Sequence, residues 1–105
     1  MTPDIIEQLG DALHTALETA TPIAPLTDQD PALTIEDAYR IQQRMLERRL
    51  QAGDRIIGKK IGVTSRAVMD MLKVYQPDFG YLLDGMCVSS ATGVPAARLI
   101  QPKAE

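Results

Sequence analysis

At 105 residues, 45% of them apolar and 24% charged, the chain is sized for one small soluble domain burying roughly two thirds of its unfolded surface. Its net charge of −3 argues against nucleic acid as the main partner, since no basic face offsets the acids. A single cysteine, Cys87, excludes an internal disulfide, the lone His14 has no Cys or His companion for zinc, and no apolar run approaches the ~18 residues of a membrane span.

The N-terminal "MTPDIIEQLGDALH" is acidic and amphipathic, unlike a signal peptide, so a cytoplasmic protein is expected. Thr2 followed by Pro3 reads as an N-cap with proline at the first helical position. Ile5, Leu9, Leu13 and Leu17, with Ile6, Ala12, Ala16 and Ala20, form the apolar stripe of a first helix that Pro22 and Pro25 end. "TPIAPLTDQDPALT" is a linker rich in proline and turn residues. Thr34 and Asp37 give a capping-box start to a second helix. Its core residues are expected to be Ile35, Ala38, Ile41, Met45 and Leu50, with Arg44, Glu47, Arg48 and Arg49 as a solvated face and Gly53 as the stop.

From Arg55 the period changes to two, with Ile57, Lys59, Ile61 and Val63 alternating with Ile56, Gly58, Lys60 and Gly62. Thr64 or Ser65 then caps a short helix, "SRAVMDMLKV", with Ala67, Val68, Met71 and Leu72 turned inward. "QPDFG" reads as a loop and "YLLDGMCV" as a hairpin turning at Asp84-Gly85. "SSATGVP" reads as a further turn and "RLIQPKAE" as a last strand. The fold class is α+β.

The strand "IIGKKIGV" carries the chain's oddest chemistry. Alternation places Lys60 between Gly58 and Gly62, which leaves open space around one ammonium group able to meet a small anion. Lys59 points the other way, among isoleucines. The same pattern also fits two lysines guarding an exposed strand edge with glycines marking a bulge. Asp78 reads either as a carboxylate desolvated by its neighbour Phe79 or as an ordinary turn aspartate. Glu105, at the chain's end, means little alone.

"GKKIGVTSRAVMDMLKVYQPDFGYLLDGM" closely resembles the 2-oxopent-4-enoate (2-hydroxypenta-2,4-dienoate, or vinylpyruvate) hydratases of the fumarylacetoacetate hydrolase-like superfamily, enzymes of meta-cleavage degradation of aromatic compounds. "LTIEDAYRIQQRMLERRLQAGDRIIGKKIGVTS" and "LIQPKAE" resemble the same family. The resemblance implies a helical region over residues 1–53 and the start of a mixed β-roll over 54–105. The family's chains are more than twice this length, so the sequence reads as an N-terminal piece expected to be inactive alone.

Lys60 and Asp78 match the family's active-site lysine and pocket aspartate. Glu105 matches the first of three carboxylates holding Mg²⁺ or Mn²⁺, the second and third falling beyond the sequence. The implied substrate is a small dienoic acid, hydrated to 4-hydroxy-2-oxopentanoate. Homo-oligomers and association with the pathway's decarboxylase or aldolase are also implied. The related 4-oxalocrotonate decarboxylases share the Gly-x-Lys and Gly-x-Thr-Ser pattern but usually differ at "QPDFG". A Schiff-base role for Lys60 and a non-catalytic assembly module are the remaining readings.

Overall fold

The computed structural model describes residues 1–104. It contains helices and one small antiparallel sheet, an α+β arrangement, and its contacts divide it into two units.

The first unit comprises Met1–Gly53 and the segment from Ser89 onward. Helix α1 (Pro3–Glu18) begins as expected, with the Thr2 hydroxyl accepting the Ile5 N–H and proline in the first turn. It stops before either linker proline: Ala20 turns left-handed (φ 50°) and the Thr21 N–H reaches back to the Ala16 carbonyl, a Schellman-like closure. The buried stripe is Ile6, Leu9, Gly10 and Ala16, with Leu13 packed against it, while Ile5 and Leu17 are exposed. The expected ladder of every fourth residue advances about 40° per step beyond a full turn at 3.6 residues per turn. Its ends therefore leave the face that alternating steps of three and four hold.

The linker is not wholly irregular, since Leu26–Gln29 forms one helical turn, α2. Helix α3 (Ile35–Gln51) has the full capping box: the Asp37 N–H donates to the Thr34 hydroxyl, and the Asp37 carboxylate accepts the Thr34 N–H. Ile41, 1% exposed, anchors the core with Ile6 and Leu9. Leu46 is also buried, whereas the expected core residues Ile35, Ala38 and Leu50 are exposed. Gly53 takes φ 96° just past the helix end.

Helices α1 and α3 approach closely at Gly10, where an added Cβ would overlap the Arg44 side chain. Arg44 crosses this bare backbone to grip Asp11 with two hydrogen bonds, 2.8 and 3.2 Å, and Arg48 joins at 3.0 Å. Arg44 is thus an interhelix tie rather than part of a solvated face. A paired glycine and aspartate one helix away give no periodic signal, so the sequence pattern did not reveal it.

The second unit is Asp54–Val88. Strand β1 (Ile56–Gly62) pairs antiparallel with β2 (Asp78–Leu83). Ser65 caps α4 (Arg66–Leu72) by accepting the Val68 N–H, and Lys73 ends it in the left-handed region. The inward face of α4 differs from expectation: Val68 and Met69 are half-buried, while Ala67, Met71 and Leu72 are exposed.

Beyond Leu83 the chain does not form the expected hairpin. Asp84–Met86 is a 3₁₀ turn, and no strand follows it among the described residues. Asp54 fixes this turn by accepting the N–H groups of Arg55 and Gly85, both at 2.9 Å, and the Asp84 N–H donates to the Arg55 carbonyl. The final expected strand is likewise absent among the described residues, where Ala96–Arg98 forms another 3₁₀ turn.

Candidate active-site face

The strand register decides which side chains meet. Lys60 lies opposite Gly80, Gly62 opposite Asp78, and Gly58 opposite Leu82. Cross-strand partners share a face, so Gly58, Lys60, Gly62, Asp78, Gly80 and Leu82 form one surface. The two side chains singled out in the sequence, Lys60 and Asp78, are therefore diagonal neighbours on it. A space of three glycines surrounds the lysine, one more than its own strand supplies. A Cβ added at Gly80 would meet nothing within 4 Å, which measures how open that place is.

Asp78 is not in a loop. "DFGYLL" is strand, and alternation then turns Phe79 to the opposite face, where it pairs with Ile61. Phe79 cannot shield the carboxylate, and a strand position is not a turn, so neither of the two sequence readings of Asp78's surroundings holds. Gly80 was missed as a site residue for the same reason. Reading "DFGY" with period two from Asp78 would have placed it on the aspartate's face.

The opposite face carries Lys59, Ile61, Phe79 and Tyr81. A register shift between Ile56 and Gly58 sets Ile56 opposite Leu83, on the Lys59 side rather than with Gly58 as strict alternation would have it; a bulge has this effect. The strand ends at Gly62 because Val63 takes a left-handed φ of 54°. That conformation is uncommon for a β-branched residue, and it turns the chain toward the Ser65 cap directly after the site glycine.

Chemically, the face offers one cation and one carboxylate across a bare backbone floor. Lys60 forms no ion pair among the described residues, and both Lys60 and Asp78 are exposed. The third expected residue, Glu105, lies outside the described residues. Among those described, no three His, Cys, Asp or Glu side chains are grouped to hold a metal ion. The residues present thus do not by themselves fit the divalent ion that the resemblance implies. Among the described residues no helix is long and apolar enough to cross a membrane.

No family model matches the chain. Among curated proteins it is 53% identical over 106 residues to a 2-hydroxypent-2,4-dienoate hydratase of Pseudomonas putida, covering 100% of this chain and 48% of that protein. It is 54% identical to a 2-hydroxyhexa-2,4-dienoate hydratase of Comamonas testosteroni (95% and 39% covered), and 43% identical to a 2-keto-4-pentenoate hydratase of Paraburkholderia xenovorans (100% and 39%). Among solved structures it is similar to a 4-oxalocrotonate decarboxylase of Pseudomonas putida G7 complexed with magnesium and adipate. That match has a TM-score of 0.77 and 30% identity, over 81% of this chain and 32% of the other. The same decarboxylase complexed with calcium and acetate matches equally well. Spanning less than half the length of these relatives, the chain is related along its own whole length to the 2-hydroxypentadienoate and 2-keto-4-pentenoate hydratases.

Proposed function

We propose that the whole protein hydrates 2-hydroxypenta-2,4-dienoate to 4-hydroxy-2-oxopentanoate, a step in meta-cleavage degradation of aromatic compounds. The observation that carries this is 53% identity along the entire chain to a hydratase of that substrate, against 30% to the decarboxylase. Residues 54–105 would begin a β-roll catalytic domain after the helical region of residues 1–53. A cytoplasmic homo-oligomer, with the pathway's decarboxylase or aldolase as possible company, completes the reading.

In the reaction, the substrate's 2-hydroxyl loses its proton as C5 gains one, giving the 2-oxo-3-enoate. Water then adds its oxygen to C4 and a proton to C3. Lys60 would hold the substrate's carboxylate or 2-oxygen by charge, and its three glycine neighbours leave room for that approach. Asp78, one diagonal away, would carry a proton or orient the water. The magnesium and calcium named with the decarboxylase structures support a divalent ion in the complete protein. The described residues do not assemble a site for it.

The alternative is decarboxylation of 4-oxalocrotonate, favoured by the structural neighbours' names. The test is to supply each substrate, with Mg²⁺ or Mn²⁺, to a protein carrying these residues in a chain of the relatives' length. Faster loss of the dienoate is expected; faster turnover of 4-oxalocrotonate would overturn the choice.

A further inference from the structure

The three glycines around Lys60 are not equivalent. A Cβ built on Gly80 meets nothing within 4 Å, and one on Gly58 makes ordinary contact with Leu82 at 3.5 Å. A Cβ on Gly62 would overlap Oδ1 of Asp78 and lie 3.4 Å from its Cγ. The carboxylate of Asp78 therefore rests in the space a side chain at position 62 would take, directly across the strand pair.

We propose that Gly62 is the positioning residue for Asp78: its bare Cα leaves the space in which the carboxylate lies over the sheet on the Lys60 face. Gly62 keeps an ordinary extended backbone rather than a positive φ, so conformational freedom does not explain the glycine. The missing side chain does. The carboxylate is the free end of a short, exposed side chain, so a methyl group at 62 should displace it by rotation without breaking the strand pair. The proposal rests on the reading of Asp78 as the residue that carries the proton or orients water.

The first test needs no activity. In the 105-residue chain, NMR couplings and contacts should report one dominant Asp78 rotamer, its β-protons close to the Gly62 α-protons. Gly62→Ala should switch that rotamer while the Lys60–Gly80 backbone pairing persists, and Gly58→Ala should leave it alone. An unchanged Asp78 rotamer in Gly62→Ala, or an equal change in Gly58→Ala, overturns the proposal. Should Gly62→Ala fail to fold, the pair Gly62→Ala with Asp78→Ala decides: a folded double variant supports the seat, and an unfolded one refutes it.

In a chain of the relatives' length, Gly62→Ala should lower kcat more than tenfold with KM held. A displaced carboxylate with unchanged kcat overturns the positioning role. Asp78→Ala then separates the two failures, since a loss of kcat in that variant spares the reading of Asp78 and an unchanged kcat removes it as well.

Discussion

Lys59 and Lys60 share a chemistry and a peptide bond, yet the pleat turns one toward isoleucine and phenylalanine and the other toward glycine and aspartate. In a protein of full length, Lys60→Ala is expected to lower kcat more than tenfold, about 1.4 kcal/mol of transition-state stabilisation. Lys59→Ala should change it far less, and equal losses with folding intact would sink the assignment. Charge matters differently at Asp11. The hydrogen bonds from Arg44, then the charges of Arg44 and Arg48, hold its carboxyl below the ordinary 3.8 in spite of opposing desolvation. Hydrogen bonds from the Thr34 hydroxyl and N–H do the same for Asp37. A carboxyl with a depressed folded value contributes stability above its unfolded value and loses it as pH falls through the folded one. Melting temperature should therefore decline below pH 3.8, and Asp11→Asn should flatten part of that decline. An equally steep profile in Asp11→Asn would show that the Arg44 tie does not respond to pH.

At the scale of elements, caps were more legible than faces. Thr2, Thr34 and Ser65 each accept a backbone N–H where the sequence placed them, because capping depends on a residue and its near neighbours. The buried faces depend on which element lies opposite, and a single sequence does not state that. Ile35 and Ile41 looked alike by type and period. The first is 57% exposed and the second 1%. Ile41→Ala should cost about 2–5 kcal/mol through lost burial and a cavity, and Ile35→Ala should stay within about 0.5 kcal/mol; urea unfolding followed by circular dichroism checks both. Comparable losses would mean that α3 packs through another face. The candidate site was legible in Lys60 and Asp78 as residues, but their adjacency was not. It follows from the register, and the register depends on "DFG" being strand rather than loop.

For the molecule as a whole, the described residues gather no metal-binding cluster, and the sheet leaves Ile57, Ile61 and Phe79 more than half exposed. Calorimetric titration of the 105-residue chain with Mn²⁺ should show no tight site, and its hydratase activity should stay at background. A stoichiometric tight site with turnover would overturn either the family reading or the expectation that the remaining ligands lie outside these 105 residues. The exposed apolar face should also make the chain self-associate as concentration rises, which light scattering would detect.

The antiparallel pairing of β1 with β2 has a consequence for when the site can come into being. Everything that sets Lys60 beside Asp78 lies between Asp54 and Val88, so the ribosome need not deliver any later residue before the two can meet. An isolated two-stranded ribbon is only marginally stable in water, and loop closure across the α4 connection carries its own entropic cost. A nascent chain would thus sample the lysine–aspartate arrangement early, and its population would rise as further surface covers the sheet.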